Sequence, residues 1–278
     1  MKSTIMTKML PMLLLAVLLF SCDDKSDGKE TYELTFEKGS YEVQLTRETP
    51  IIIRGGNRDY SLSVENPKIL DAEVDLSSLI GSGNIIVTGK QKGETILSVT
   101  DNITHETVKL KIKVIDKYLN LKVVGSDHPA LVKDILIFLI NNEERDCYFI
   151  SGSENKDRNV MAKGKYAFSA ETKENVSTPY LTLTYASDEL GRFTDAAKTD
   201  ATIAPTPHQF DISGNHKLTY EGLELFLDID WAGLIQERSE NTLRSDPRPT
   251  TLNMKEIETE KEISTVFWHE SIPEGILE

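Results

Sequence analysis

Apolar side chains recur at every second position along much of this chain, and this alternation constrains the fold more than any other feature. In the clearest case, lysines alternate with four apolar residues: Val108, Leu110, Ile112 and Val114. Successive side chains of a β-strand point to opposite faces of a sheet. The segment is therefore predicted to be a strand with one face on a core and the other in water.

Similar short segments occur between residue 31 and residue 115. The predicted strands cover 32–36, 41–45, 51–53, 60–64, 85–87 and 95–99. Clusters of glycine, asparagine and proline separate them, as turns require. Short strands with a turn every eight to twelve residues are typical of a β-sandwich.

The alternation continues in residues 118–278, after a short junction at Asp116–Lys117. Residues 135–140 are all apolar, residues 141–146 are all polar, and 147–150 are apolar again, which predicts a hairpin with a long loop. Residues 264–269 are predicted to be a last strand, after a mostly polar loop or arm over 236–262.

Residues 223–231 fit two periods. Leucine, isoleucine and tryptophan at 223, 225, 227, 229 and 231 follow a strand period, whereas Leu223, Leu227, Trp231 and Leu234 would also share one face of a helix. The strand is favoured and the helix is the alternative. On a strand, Glu224, Asp228 and Asp230 would line its wet face.

Several segments of the first domain resemble bacterial Ig-like domains of the Big2 type. The resemblance is carried by 55–61, 66–69, 93–99 and 111–114, and it covers residues 31–115. It implies an Ig-like sandwich that acts as a spacer or adhesion module without catalytic residues. The predicted fold class is all-β, an N-terminal Ig-like β-sandwich followed by a second β-rich domain, for which no family resemblance is found.

The N-terminus has the features of a secretory signal. Lys2 and Lys8 precede a nearly unbroken apolar run over 9–20, which is shorter than the roughly 20 residues that span a bilayer. Leu19-Phe20-Ser21-Cys22 resembles the bacterial lipobox, which implies cleavage after residue 21 and lipid attachment to the Cys22 thiol. An ordinary secretory signal is the alternative.

Residues 22–30 form an acidic tether after the predicted cleavage site, in which residues 23–28 resemble the surface-export signals of Bacteroidetes-type lipoproteins; a solvated, flexible tether without such a signal is the alternative. We therefore expect a location in the cell envelope, at the outer membrane, with either the periplasmic or the outward orientation open. The net charge of −14 and the pI near 4.9 disfavour nucleic acid as a partner.

Signatures of common enzymes and metal sites, such as H-E-x-x-H, G-x-S-x-G, C-x-x-C and the P-loop, do not occur in the sequence. His128, His208, His216 and His269 lack the short spacing of zinc ligands and are interpreted as surface or turn residues. No metal and no cofactor is predicted. Cys147 lies in an apolar stretch and is predicted to be a buried, inert thiol.

Two kinds of ligand site remain open. Carboxylates at Glu224, Asp228 and Asp230 could serve a carbohydrate-active enzyme or bind calcium. Aromatic rings at Trp231 and Trp268 could instead stack on a sugar if they are exposed. The favoured function is non-catalytic recognition of an extracellular glycan or protein, and the alternatives are the enzyme and a structural adhesin or assembly subunit.

Overall fold

A computed structural model describes residues 30–151, 158–174, 176–194, 204–231, 251–273 and 275–277. The predictions for the signal peptide, Cys22 and residues 23–29 of the tether lie outside these residues. Strands dominate what is described, and the all-β fold class is confirmed. Among the helices found here, none is both long and apolar enough to cross a membrane.

The first eight strands form two sheets that pack face to face. The strands are β1 (Thr35–Phe36), β2 (Ser40–Gln44), β3 (Glu48–Gly55), β4 (Tyr60–Val64), β5 (Leu70–Asp75), β6 (Gly83–Gly89), β7 (Gly93–Asp101) and β8 (Thr107–Ile115). One sheet has the order β1-β3-β6-β5 and the other has the order β2-β8-β7-β4. Leu110, Ile112 and Val114 of β8 are buried in the shared core, as the alternation with lysine predicts.

The next eight strands close into an antiparallel barrel. They are β9 (Tyr118–Ser126), β10 (Ile135–Ile140), β11 (Asp146–Ser151), β12 (Val160–Lys173), β13 (Val176–Tyr185), β14 (Thr206–Asp211), β15 (Thr251–Glu256) and β16 (Glu262–Trp268). Each strand pairs with the next, and β16 returns to pair with β9. The predicted hairpin is confirmed because Leu139 of β10 lies opposite Cys147 of β11.

Strand β10 is buried on both faces. Ile137 and Leu139 point into the barrel core, while Leu136, Phe138 and Ile140 pack outside it against a C-terminal segment that includes Ile272 and Leu277. This explains why β10 is an unbroken apolar run, since a strand with two covered faces has no wet positions to alternate.

The favoured strand over residues 223–231 is wrong. Residues Lys217–Leu227 form a helix, α1, which begins after His216, whose side chain caps the Leu218 N–H. Leu223, Leu227 and Trp231 are buried in the barrel core, whereas Leu225 is 70% exposed. Residues four apart share one face of a helix, and in the closed barrel this face, with Leu223 and Leu227, is buried.

The predicted polar arm over 236–262 is also corrected where it is described. Residues 251–256 form β15, whose Leu252 and Met254 point into the core and alternate with exposed residues. Only two of its side chains are apolar, so in the sequence this strand could not be told apart from the polar residues around it. The predicted last strand is confirmed as β16.

Candidate functional site

The two domains meet at a junction fixed by direct polar contacts. The Tyr118 N–H of the barrel donates to Gln44 Oε1 of the sandwich over 3.3 Å. Lys117 Nζ of the linker lies 2.8 Å from Asp228 Oδ1 after α1. From the sandwich, Lys113 Nζ donates to the Leu277 carbonyl over 2.7 Å. The barrel is therefore held in contact with the sandwich at the end closed by α1.

A cleft of about 380 Å³ lies at this junction. The barrel side contributes aromatic rings, which are Tyr118, Phe226, Phe267 and Trp268. The sandwich and the C-terminal segment contribute charged side chains, which include Arg47, Glu48 and Glu270. Ligand pockets are typically concave, mostly apolar and about 300–1,000 Å³ in volume, with a few polar groups that fix orientation.

Trp268, one of the two predicted ligand contacts, lies in the wall of this cleft. Its neighbour Phe267 packs against the barrel core, so Trp268 points to the outside of the barrel. Trp268 Nε1 donates to Glu270 Oε2 over 3.2 Å, and Lys122 Nζ lies 4.7 Å from the ring centroid. The indole is half-buried and held in one orientation.

Asn120 lies directly opposite Trp268 in the β9–β16 pair and also lines the cleft. Its side chain is 3% exposed, and its Nδ2 donates to the Glu270 carbonyl over 2.9 Å. Its Oδ1 is buried without a hydrogen-bond partner among the described residues. Buried acceptors are rarely left unpaired, and this oxygen is closed to solvent in the wall of the cleft, so a ligand donor would reach it only after the side chain rotates toward the cleft.

Asn120 is absent from the predicted site. The signal that could have found it is an amide between the apolar residues Leu119 and Leu121. The sandwich adds a cation to the same cleft, since the guanidinium carbon of Arg47 lies 5.2 Å from the Phe226 ring centroid. The cleft thus combines flat apolar rings, a cation and an unpaired acceptor buried in its wall.

The other predicted site residues do not join this group. Trp231 is fully buried in the barrel core, and its Nε1 donates to the Tyr220 carbonyl. Glu224 lies on α1 and Asp228 caps its C-terminus, so the acids do not share a strand face. Burial raises the pKa of Asp228, but hydrogen bonds from Lys117 and Asn141 outweigh this and leave the pKa below its usual value.

A second polar cluster, formed by His128, His208 and Glu256, lies at the far end of the barrel from the sandwich. His208 and Glu256 occupy inward positions of β14 and β15, two residues from the buried Phe210 and Met254. All three side chains of the cluster are buried. His128 lies in the turn after β9, as its interpretation as a surface or turn residue allows, although it is buried; the same interpretation of His208 is wrong, because His208 lies in β14 and barrel closure encloses it.

The hydrogen bonds of this cluster do not fit a metal ion. Nδ1 of His128 accepts the N–H groups of Ala130 and Leu131, both over 3.1 Å. The proton of the neutral ring must then reside on Nε2, which lies 3.6 Å from Glu256 Oε2. A metal-binding histidine needs a free lone pair and donates its other N–H, so His128 has no atom left to bind a metal.

Glu256 is the common acceptor of the cluster. Burial raises its pKa, but hydrogen bonds from Thr259 and His208 and the nearby histidines outweigh this and lower the pKa overall. Because the carboxylate is ionised, His208 donates through Nδ1 to Glu256 Oε1 over 2.8 Å. The other ring nitrogen of His208 then accepts from Ser187 Oγ, which is 3.2 Å away.

The order serine, histidine, carboxylate matches the arrangement that activates a nucleophile. Acyl transfer also requires donors for the developing oxyanion, which usually supply the largest part of the rate enhancement. In the turn after Ser187, the N–H groups of Leu190, Gly191 and Arg192 all donate to Asp188. These three N–H groups are therefore not available to an oxyanion, which favours a structural role for the network.

The family model described as the pilus formation protein N terminal region matches residues 42–115, most of the sandwich and about a quarter of the chain. It supports a bacterial Ig-like type of β domain, but it does not show the Big2 type. No curated protein matches the chain.

Among solved structures, domains 4 and 5 of the S-layer protein SbsC are similar at 15% identity with a TM-score of 0.25. This match covers 31% of the present chain and 52% of that structure, so the present chain spans about half of its length. Domains 5–6 of the same S-layer protein match at 12% identity with a TM-score of 0.25, over 65% of this chain and 97% of that one.

Proposed function

We propose that this protein is a lipid-anchored, non-catalytic envelope protein that binds a glycan in the cleft between its sandwich and its barrel. The observation that carries the proposal is the pairing of the Trp268 ring with the unpaired Oδ1 of Asn120 in one cleft. The C–H faces of a sugar pack on an aromatic ring. Once the Asn120 side chain rotates toward the cleft, a sugar hydroxyl would supply the donor that its Oδ1 lacks.

Two features support the envelope location. Residues 19–22 resemble a lipobox behind a secretory signal. The sandwich matches a domain named for pilus formation, which is a process of the cell envelope. Several acyl chains on Cys22 would give stable membrane attachment, whereas a single chain gives only marginal binding.

The family match also favours a second candidate, an assembly subunit that binds protein partners through its sandwich. The enzyme alternative has less support, since the strand face on which Glu224, Asp228 and Asp230 were expected to lie together is not formed: they lie on and after a helix. Glycan binding and assembly differ in which surface they use, so substitutions in the cleft distinguish them.

The cleft is tested by Trp268→Ala and Asn120→Leu in the mature chain, applied to a broad set of immobilised glycans. Both variants are expected to weaken retention at least about tenfold, which corresponds to 1.4 kcal/mol. Tyr148→Ala is the matched control, because Tyr148 is also a half-buried ring on the outer barrel wall with a lysine 5.6 Å from its centroid. Its retention should not change.

Three results would contradict this function. The protein could retain no glycan, it could retain one equally well in both cleft variants, or it could release free sugar. If the protein released sugar and Asp230→Ala abolished the release, the enzyme alternative would be supported again. Circular dichroism of each variant shows whether the barrel remains folded.

The anchor is tested separately by Cys22→Ala in cells supplied with labelled fatty acid. Only Cys22 is expected to accept the label, since Cys147 is fully buried and burial raises the pKa of its thiol. The variant should lose the label completely and accumulate as precursor or be released. Unchanged labelling would refute lipid attachment at this residue, and protease treatment of intact cells would report the orientation.

A further inference from the structure

Exposed apolar side chains collect at one end of the sandwich. Leu79 is 98% exposed and Ile80 is 61% exposed, both in the loop that joins β5 to β6. Ile103, in the loop that joins β7 to β8, and Tyr32, just before β1, are exposed as well. We call the segments 30–34, 76–82 and 102–106 together the N-terminal end.

Hydrogen bonds show that these segments are neighbours. Residues 57–59, which follow β3, contact all three. The Tyr32 N–H donates to Asn57 Oδ1 over 2.9 Å, Arg58 Nη2 donates to the Leu76 carbonyl over 2.5 Å, and Asn102 Nδ2 donates to Asp59 Oδ1 over 2.7 Å. The chain therefore enters the sandwich beside the exposed loop.

The length of the tether limits how far this end can move from a membrane. Glu30, the first described residue, lies eight positions after Cys22. A fully extended chain spans at most about 3.5 Å per residue, so the reach is about 28 Å. A lipid on Cys22 would keep the N-terminal end within this distance of the bilayer and would raise the effective concentration of Leu79 at its surface.

We propose that Leu79 and Ile80 insert into the membrane interface as a second contact beside the lipid anchor. The proposal rests on the anchor proposed above. The loop is already ordered for this role, because Asp75 Oδ1 accepts both the Ser77 N–H over 2.8 Å and the Ser77 hydroxyl over 2.6 Å. Gly81 adopts a φ of 64°, and a side chain there would collide with the Ile53 carbonyl.

The charge of the N-terminal end determines which lipid headgroups it can approach. Acidic residues occur throughout the N-terminal end: Glu33 lies in segment 30–34, Asp59 accepts from Asn102, and Asp75 precedes the loop, with Arg58 bound to the Leu76 carbonyl as a cation. An acidic surface is repelled by anionic headgroups. The partner is therefore a bilayer of zwitterionic lipid, and contact is made by the apolar side chains.

The test uses the chain from Cys22 onward, produced without lipid and coupled through the Cys22 thiol to maleimide-phosphatidylethanolamine in phosphatidylcholine vesicles. Cys147 is fully buried and does not compete for the maleimide. In Leu79→Trp, tryptophan emission should shift to shorter wavelength on the vesicles and be quenched by brominated acyl chains. The maleimide link replaces cellular acylation, so failure of the anchor in cells leaves this result unaffected.

Leu190→Trp is the matched control, since Leu190 is 65% exposed but lies at the far end of the barrel. It contains the same Trp231 and Trp268 background and should show no shift. Adding Ile80→Glu to Leu79→Trp should abolish the shift. The proposal is overturned if Leu79→Trp emits on vesicles as it does in solution, if both tryptophan variants shift equally, or if the shift appears only with phosphatidylserine.

Discussion

At the scale of single residues, His128 is the group whose charge the barrel controls most clearly. Burial lowers its pKa, the Glu256 carboxylate acts in the opposite direction, and the His208 ring lowers it further, with a smaller opposing effect from Asp127. The net pKa lies below the ordinary value of 6.5. The folded protein therefore holds His128 neutral at a pH where the unfolded chain begins to protonate it.

This shift gives a signed prediction for stability. A histidine with a lowered folded pKa contributes stability that is complete above the unfolded pKa of about 6.5 and is lost as the pH falls. The lowered pKa of Glu256 adds a second loss below about 4.3. The free energy of unfolding, measured by urea denaturation, should decrease between pH 7.5 and pH 5.

His128→Asn separates this effect from general acid sensitivity. An asparagine oxygen can accept the N–H groups two and three residues ahead, as Nδ1 of His128 does, but asparagine does not titrate. The variant should lose most of the pH dependence between 7.5 and 5. A wild-type slope in the variant would show that other groups are responsible.

At the scale of secondary-structure elements, α1 depends on a glycine in its interior. Gly222 would ordinarily cost the helix about 0.5–1 kcal/mol relative to alanine. A Cβ at this position would, however, lie only 2.4 Å from Cε2 of Phe267 on β16. The helix packs so closely on the barrel that glycine is required despite its low helix propensity.

Gly222→Ala is therefore expected to destabilise the protein by about 1–3 kcal/mol, the usual range for overpacking. Thermal unfolding of the full chain measures this. Leu225→Ala, at a largely exposed position of the same helix, should change stability by less than about 0.5 kcal/mol. A stabilised Gly222→Ala, as propensity alone predicts, would contradict the close packing, and Phe267→Ala should remove most of the penalty.

At the scale of the whole molecule, the sandwich and the barrel have separate cores. The sandwich core extends from Leu34 to Val114, and the barrel core begins at Leu119. Isolated residues 31–115 are therefore predicted to unfold in one cooperative transition in urea. A non-cooperative transition or a disordered spectrum would show that the sandwich needs the barrel, and the full chain serves as the control.

The sequence alone determined the β class and most strands, because side-chain alternation is a local property that neighbouring residues display directly. It also determined the hairpin of β10 and β11, where a polar loop interrupts two apolar runs. By the same local rule, residues 223–231 fitted both periods. The residues of this segment alone do not show whether its leucines pack against a neighbouring strand or against the end of a barrel.

The residues of both candidate sites are brought together only by the tertiary structure. His128, His208 and Glu256 are up to 128 residues apart in sequence numbering, and barrel closure brings their ligand atoms within 4.8 Å of one another. Asn120 and Trp268 meet because β16 returns to pair with β9. The cleft itself requires both domains to be in contact. Sequence spacing contains no information on such contacts, because they depend on which strands become neighbours when the sheet closes.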